Sequence, residues 1–91
     1  MQHKNEKTMK LRKVLGKVIQ DFRIHNSDKS KSKIEDEYDL GKSVLYRIEN
    51  AKFDTKFLTL WKISEAVNVK LSDIIKAIEN ELGDDFKIMD E

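Results

Sequence analysis

The 91-residue chain contains no cysteine and no proline, and only three glycines. Without cysteine there are no disulfides, no thiolate metal sites and no thiol nucleophile, and a reducing compartment is compatible with the composition. The absence of proline and the scarcity of glycine leave long stretches rich in Lys, Glu, Leu and Ile, residues that favour helices, so an all-α domain is expected. Long apolar runs are also missing: nothing approaches the roughly 20 residues that cross a bilayer, and the first thirty residues lack the apolar segment of a signal peptide. The chain reads as a soluble, cytoplasmic protein that does not engage a membrane. Its length leaves room for one small domain.

Catalytic patterns are equally thin. His3 and His25 stand far apart with no second ligand at metal-binding spacing, so no metal is expected. The carboxylates of "IEDEYD" lack the alternation and the glycine of a calcium loop, and read as a polar helix face. There is no glycine-rich phosphate loop and no serine in a nucleophile elbow. The expectation is a protein that is not an enzyme and needs no cofactor.

Charge is present in quantity but unevenly placed. The whole chain carries a formal +1, yet residues 1 to 33 hold ten cations against three carboxylates, a net +7, which leaves −6 for the rest. Much of the negative charge lies in Glu79, Glu81, Asp84, Asp85, Asp90 and Glu91. Such asymmetry points to a polyanionic partner for the basic part, although a solvated basic tail has the same composition.

Apolar residues recurring every three or four positions mark five helices. Leu11, Leu15, Val18 and Phe22, widened by Val14 and Ile19, place helix one over about 9 to 26. "NSDKS" then interrupts the pattern with turn and cap residues. Helix two carries Ile34 and Tyr38 and starts either at Ser30 or at the Ser32/Glu35 pair, which has capping-box spacing. Helix three is expected over about 42 to 50. In helix four Phe57, Leu60, Trp61, Ser64 and Val67 are expected to face inward beside Ile63 and Ala66, with entry at Asp54 or Thr55. Ser72 is the expected N-cap of helix five, which carries Ile74, Ile75, Ile78 and Leu82 and stops at Gly83. The organisation is thus a basic N-terminal extension (1–8), a helical domain (9–83) and an acidic tail (84–91).

In "LGKSVLYRIENAK", Leu40 to Lys52, helical winding separates Val44, Leu45 and Ile48 from Lys42, Ser43, Tyr46, Arg47 and Asn50. Helices two and three, joined by a short turn, have the spacing of a helix-turn-helix. The stretch from Gly16 to Val69, about 54 of the 91 residues, resembles the Cro/lambda-repressor-type domain of the XRE family. Arg23, Ser30, Ile34, Leu45 and "RIENAK" carry the likeness, and "FLTLWKISEAVNV" is similar to the family's fourth helix.

The resemblance implies a five-helix lambda-repressor-like fold and a transcriptional regulator, a repressor, that binds double-stranded DNA as a homodimer. It implies base reading by Lys42, Ser43 and Arg47, with Val44 and Tyr46 at the margin; Arg and Lys donate to guanine, and an apolar group meets a thymine methyl. Phosphate contacts fall to Ser30, Lys31, Asn50, Lys52 and Lys56. Arg23 and Glu49 are the implied structural ion pair. Dimer contacts are expected on helix five through Ile74, Ile78 and Leu82, continued by Phe86. Two other readings keep the same fold: an antitoxin that represses its own operon while its tail binds a toxin protein, and an adaptor that binds protein alone. The chain departs from the family pattern at Glu35, where a small residue is usual, and at Asp39 and Ala51, where glycine is usual. Thr55 takes the place of the common proline, and the Arg23–Ser30 turn is one residue longer. The Glu35 carboxylate must reach solvent or find a partner.

Overall fold

The computed structural model describes residues 2 to 89, with side chains from Glu6 onward. Within them the chain forms five α-helices and no strand: α1 (Gln2–Asn26), α2 (Lys31–Glu37), α3 (Val44–Glu49), α4 (Phe57–Ala66) and α5 (Leu71–Leu82).

Helix α1 is the spine, packing against α3 along one flank and α5 along another. Its stripe splits accordingly. Leu15 and Ile19 join Ile34, Leu40, Val44, Leu45, Ile48, Ile63 and Ala66 in one apolar cluster. Leu11, Val14, Val18 and Phe22 pack with Ile74, Ile78 and Leu82 in the other. Burial of these side chains is the main force holding the four short helices to α1, since none of α2 to α5 exceeds the length at which an isolated helix is marginal.

The structure corrects the sequence reading at several points. Helix α1 begins at Gln2 rather than near residue 9, so residues 2 to 8 of the expected extension are its first turns. Those residues lack an apolar stripe, but they also lack proline and glycine, and nothing in them breaks a helix. The segment after α5 turns back on this end of α1, with the Phe86 ring 5.5 Å from Lys7 Nζ and 5.9 Å from Lys10 Nζ. Asp90 and Glu91 of the tail lie outside the described residues.

Helix α4 is N-capped at Lys56 rather than Asp54 or Thr55. Phe57 and Trp61 do not face inward: they are 70% and 48% exposed. Leu60, Ile63 and Val67 define the inward stripe, and at about 100° per residue Phe57 falls about 60° and Trp61 about 100° from Leu60, on the side away from Ile63. Helix α5 is capped at Lys70 rather than Ser72. The Asp73 carboxylate stabilises that start by accepting from the Lys70 backbone N–H at 2.9 Å. Gly83, at φ 88°, ends the helix.

Two of the expected dimer contacts, Ile74 and Ile78, are corrected too. Ile74 and Ile78 are buried, and Leu82 packs beside them against α1. Phe86 is half-buried against the lysines of its own chain. An amphipathic stripe of this kind serves a core or an interface equally well, and here α1 covers it.

Candidate functional site

Helix α2 starts from Ser30, whose hydroxyl accepts from the Lys33 backbone N–H at 3.2 Å; the Ser32/Glu35 pair does not cap it. After Glu37 the chain turns through Asp39 at φ 54°, buries Leu40 as an anchor, and passes Gly41 at φ 92° and Ser43 at φ 66°. Three left-handed residues within five positions make a sharp corner. Asp tolerates that region better than most residues, and glycine enters it freely.

Ser43 determines where α3 begins. A left-handed residue cannot belong to a right-handed helix, so α3 starts at Val44 instead of 42. Lys42 and Ser43 therefore sit on the turn, exposed, rather than on the helix. Val44 is buried with Leu45 and Ile48, so it cannot meet a thymine methyl as expected.

No side chain of Ser43 caps α3; Glu35 does so from the neighbouring helix. Its Oε1 accepts from the Ser43 backbone N–H at 3.1 Å and its Oε2 from that of Leu45 at 2.9 Å. This carboxylate is buried, and it finds its partners in the otherwise unsatisfied amides that open α3. Glu35 is thus the clamp that fixes α3 against α2. Glu35→Ala is expected to cost about 1 to 3 kcal/mol, the usual penalty for leaving buried donors unbonded. Urea unfolding, together with faster amide exchange at Ser43 and Leu45, checks this.

The other end of α3 is held by Glu49. Arg23 reaches it from α1 with two bonds, Nε to Oε2 at 2.7 Å and Nη2 to Oε1 at 2.9 Å. Lys31 Nζ stands 3.6 Å from the same carboxylate. Hydrogen bonding to Glu49 pushes the Arg23 guanidinium further above its already high pKa. Between the two clamps, Gly16 of α1 lets the backbones of α1 and α3 come together: a Cβ there would lie 2.6 Å from the Ile48 carbonyl oxygen.

The outer surface of α3 consists of Tyr46, Arg47 and Asn50, all exposed. The Arg47 guanidinium lies 5.0 Å from the centroid of the Phe53 ring, and Lys31 Nζ lies 5.6 Å from that of Tyr46. These cation–π contacts hold the two cations in place without neutralising them. Asn50 donates one of its two side-chain N–H groups to the Tyr46 carbonyl at 2.8 Å, which helps to end α3. The exit follows through Ala51 at φ 59°, and Lys52 and Lys56 beyond it are exposed. Among the described residues no carboxylate stands within ion-pair distance of Lys42, Arg47, Lys52 or Lys56. Asp36 and Asp39 do share a cleft with Lys42, which makes Arg47 the less compensated of the two cations.

The sequence reading missed two residues. Gly16 signals itself as an isolated glycine inside a helical pattern, a common mark of close backbone approach. Phe53 gives no such signal, because it lies in an irregular loop where periodicity is silent. In comparisons with known proteins, the chain matches no family model, no curated protein and no solved structure.

Proposed function

We propose that the chain is a sequence-specific DNA-binding regulator of the Cro/lambda-repressor (XRE) type, acting as a repressor and as a homodimer on a two-fold symmetric site. The observation that carries this reading is α3 itself: a short helix clamped at both ends by buried carboxylates, with Arg47 exposed, stacked on Phe53 and free of any carboxylate partner among the described residues. A major groove about 12 Å wide admits such a helix, and an arginine pointing from it makes paired bonds to guanine O6 and N7. Rigid support matters because a reading side chain contributes specificity only when its position is set before contact.

In this reading Arg47 is the principal base reader, with Tyr46, Lys42 and Ser43 at the edges of the groove. Lys31, Lys52 and Lys56 lie against phosphates, where they add affinity without sequence information. Ser30 caps α2 as an acceptor and keeps its O–H to donate to a phosphate, and Asn50 uses one of its two side-chain N–H groups to end α3 and keeps the other.

Two substitutions separate these roles. Arg47→Ala is expected to relax discrimination at one base position by about 1 to 3 kcal/mol, whereas Lys52→Ala weakens all duplexes alike and reduces the dependence of affinity on salt. Competition binding with a selected duplex and a random pool reads both effects. If Arg47→Ala lowers affinity for the two DNAs equally, base reading by α3 is wrong.

A further inference from the structure

The core takes up Ile74 and Ile78, while Phe57, Leu58 and Trp61 of α4 and Ile75 of α5 are among the large apolar side chains left exposed. Phe57 and Trp61 meet edge to face with ring centroids 6.0 Å apart. Trp61 and Ile75 line an open groove of about 820 Å³ between α4 and α5. Scattered apolar residues on a surface are ordinary, but touching aromatic rings that lead into an apolar groove mark an interaction site.

Charge around the groove indicates what covers it. Lys70 and Lys76 border it together with Glu65 and Glu79. Among the described residues none of these four forms an ion pair within the chain. Two cations and two anions around an apolar centre suit a two-fold axis, across which the lysines of one copy oppose the glutamates of the other. A polyanion would be repelled by the glutamates, and a strongly acidic or basic peptide would meet as much repulsion as attraction. The Trp61 ring is one wall of the groove, held by its Nε1 donating to Glu65 at 3.1 Å.

We infer that this α4–α5 face is where two copies of the chain associate, which rests on the homodimer reading and relocates its contact from Ile74 and Ile78 to Trp61 and Ile75. The face lies to the side of the proposed reading surface. Lys62, the next residue on α4 after Trp61, bonds the Asp39 carbonyl in the α2–α3 turn at 3.1 Å, so α4 turns a different flank toward that turn.

The test is sedimentation equilibrium of the full chain without DNA, from low micromolar to several hundred micromolar, alongside the emission of Trp61, the single tryptophan. The wild-type chain is expected to dimerise, with emission moving to the blue as concentration rises. Ile75→Lys is expected to remain monomeric with unchanged helical circular dichroism, because residue 75 is exposed on its helix. Lys76→Glu and Glu79→Lys are each expected to weaken self-association roughly tenfold through like-charge contact, while a mixture of the two variants associates. A chain that stays monomeric throughout overturns the proposal, and so does a dimer that survives Ile75→Lys or fails to respond to charge reversal. Since no DNA is present, these results are independent of whether Arg47 reads bases.

Discussion

Arg23→Ala is expected to destabilise the fold by about 3 to 5 kcal/mol, the range for leaving one member of a buried ion pair without its partner. The Glu49 side chain is 1% exposed and that of Arg23 14%, so water cannot replace the two lost hydrogen bonds. Lys31 Nζ at 3.6 Å would be the nearest remaining cation. Small domains have net stabilities of only about 5 to 15 kcal/mol, so the variant would be close to unfolding. The double variant Arg23→Met/Glu49→Leu is expected to lose less than Arg23→Ala, because it removes the charge that has to be paired. Urea denaturation of the wild-type chain and the variants provides the comparison. A double variant as unstable as Arg23→Ala would contradict the description of Glu49 as a buried charge that requires Arg23.

The second large effect is expected at Gly16, with a sign opposite to that of helix propensity. In an exposed helix Gly→Ala stabilises by about 1 kcal/mol. Here the added methyl carbon would lie 2.6 Å from the Ile48 oxygen and 2.9 Å from the Glu49 oxygen. Both are backbone atoms and cannot rotate aside, so α1 and α3 must separate. Gly16→Ala is therefore expected to cost about 1 to 3 kcal/mol, as overpacking does, and to lower the melting temperature by several degrees for each kcal/mol lost. Moving α3 also stretches the Arg23–Glu49 bonds, so DNA affinity should fall in samples that remain folded. Gln20→Ala, at an exposed position of the same helix, serves as the control and should be close to neutral.

The helices were legible because a buried face imposes a spacing of three and four, and that spacing is strong in Leu11 to Phe22 and in Ile74 to Leu82. Where the helices start was less legible. The first turns of α1 carry no apolar spacing in the sequence, so they leave no periodic trace. The start of α3 depends on Ser43 adopting a left-handed conformation beneath the Glu35 carboxylate, a contact between two helices that local pattern does not encode. Phe57 and Trp61 show a different limit: an apolar residue announces that it prefers to be covered, but not by what. The same ambiguity affects Ile74 and Ile78, whose stripe is identical whether α1 or a second chain lies against it. The pairing of Arg23 with Glu49, 26 positions apart, is invisible to periodicity and followed only from the family resemblance. Phe53 beside Arg47 had no precursor in the sequence reading at all.

Selection of duplexes from a random pool by the full chain, followed by affinity against salt concentration, tests the central claim most directly. The account predicts an enriched site with two-fold symmetry, bound on the order of 10³-fold or more tightly than random DNA. Affinity should fall steeply with salt, as expected for several lysine and arginine contacts to phosphate. A pool that yields no enriched sequence, with binding that is absent or indifferent to salt, would contradict it.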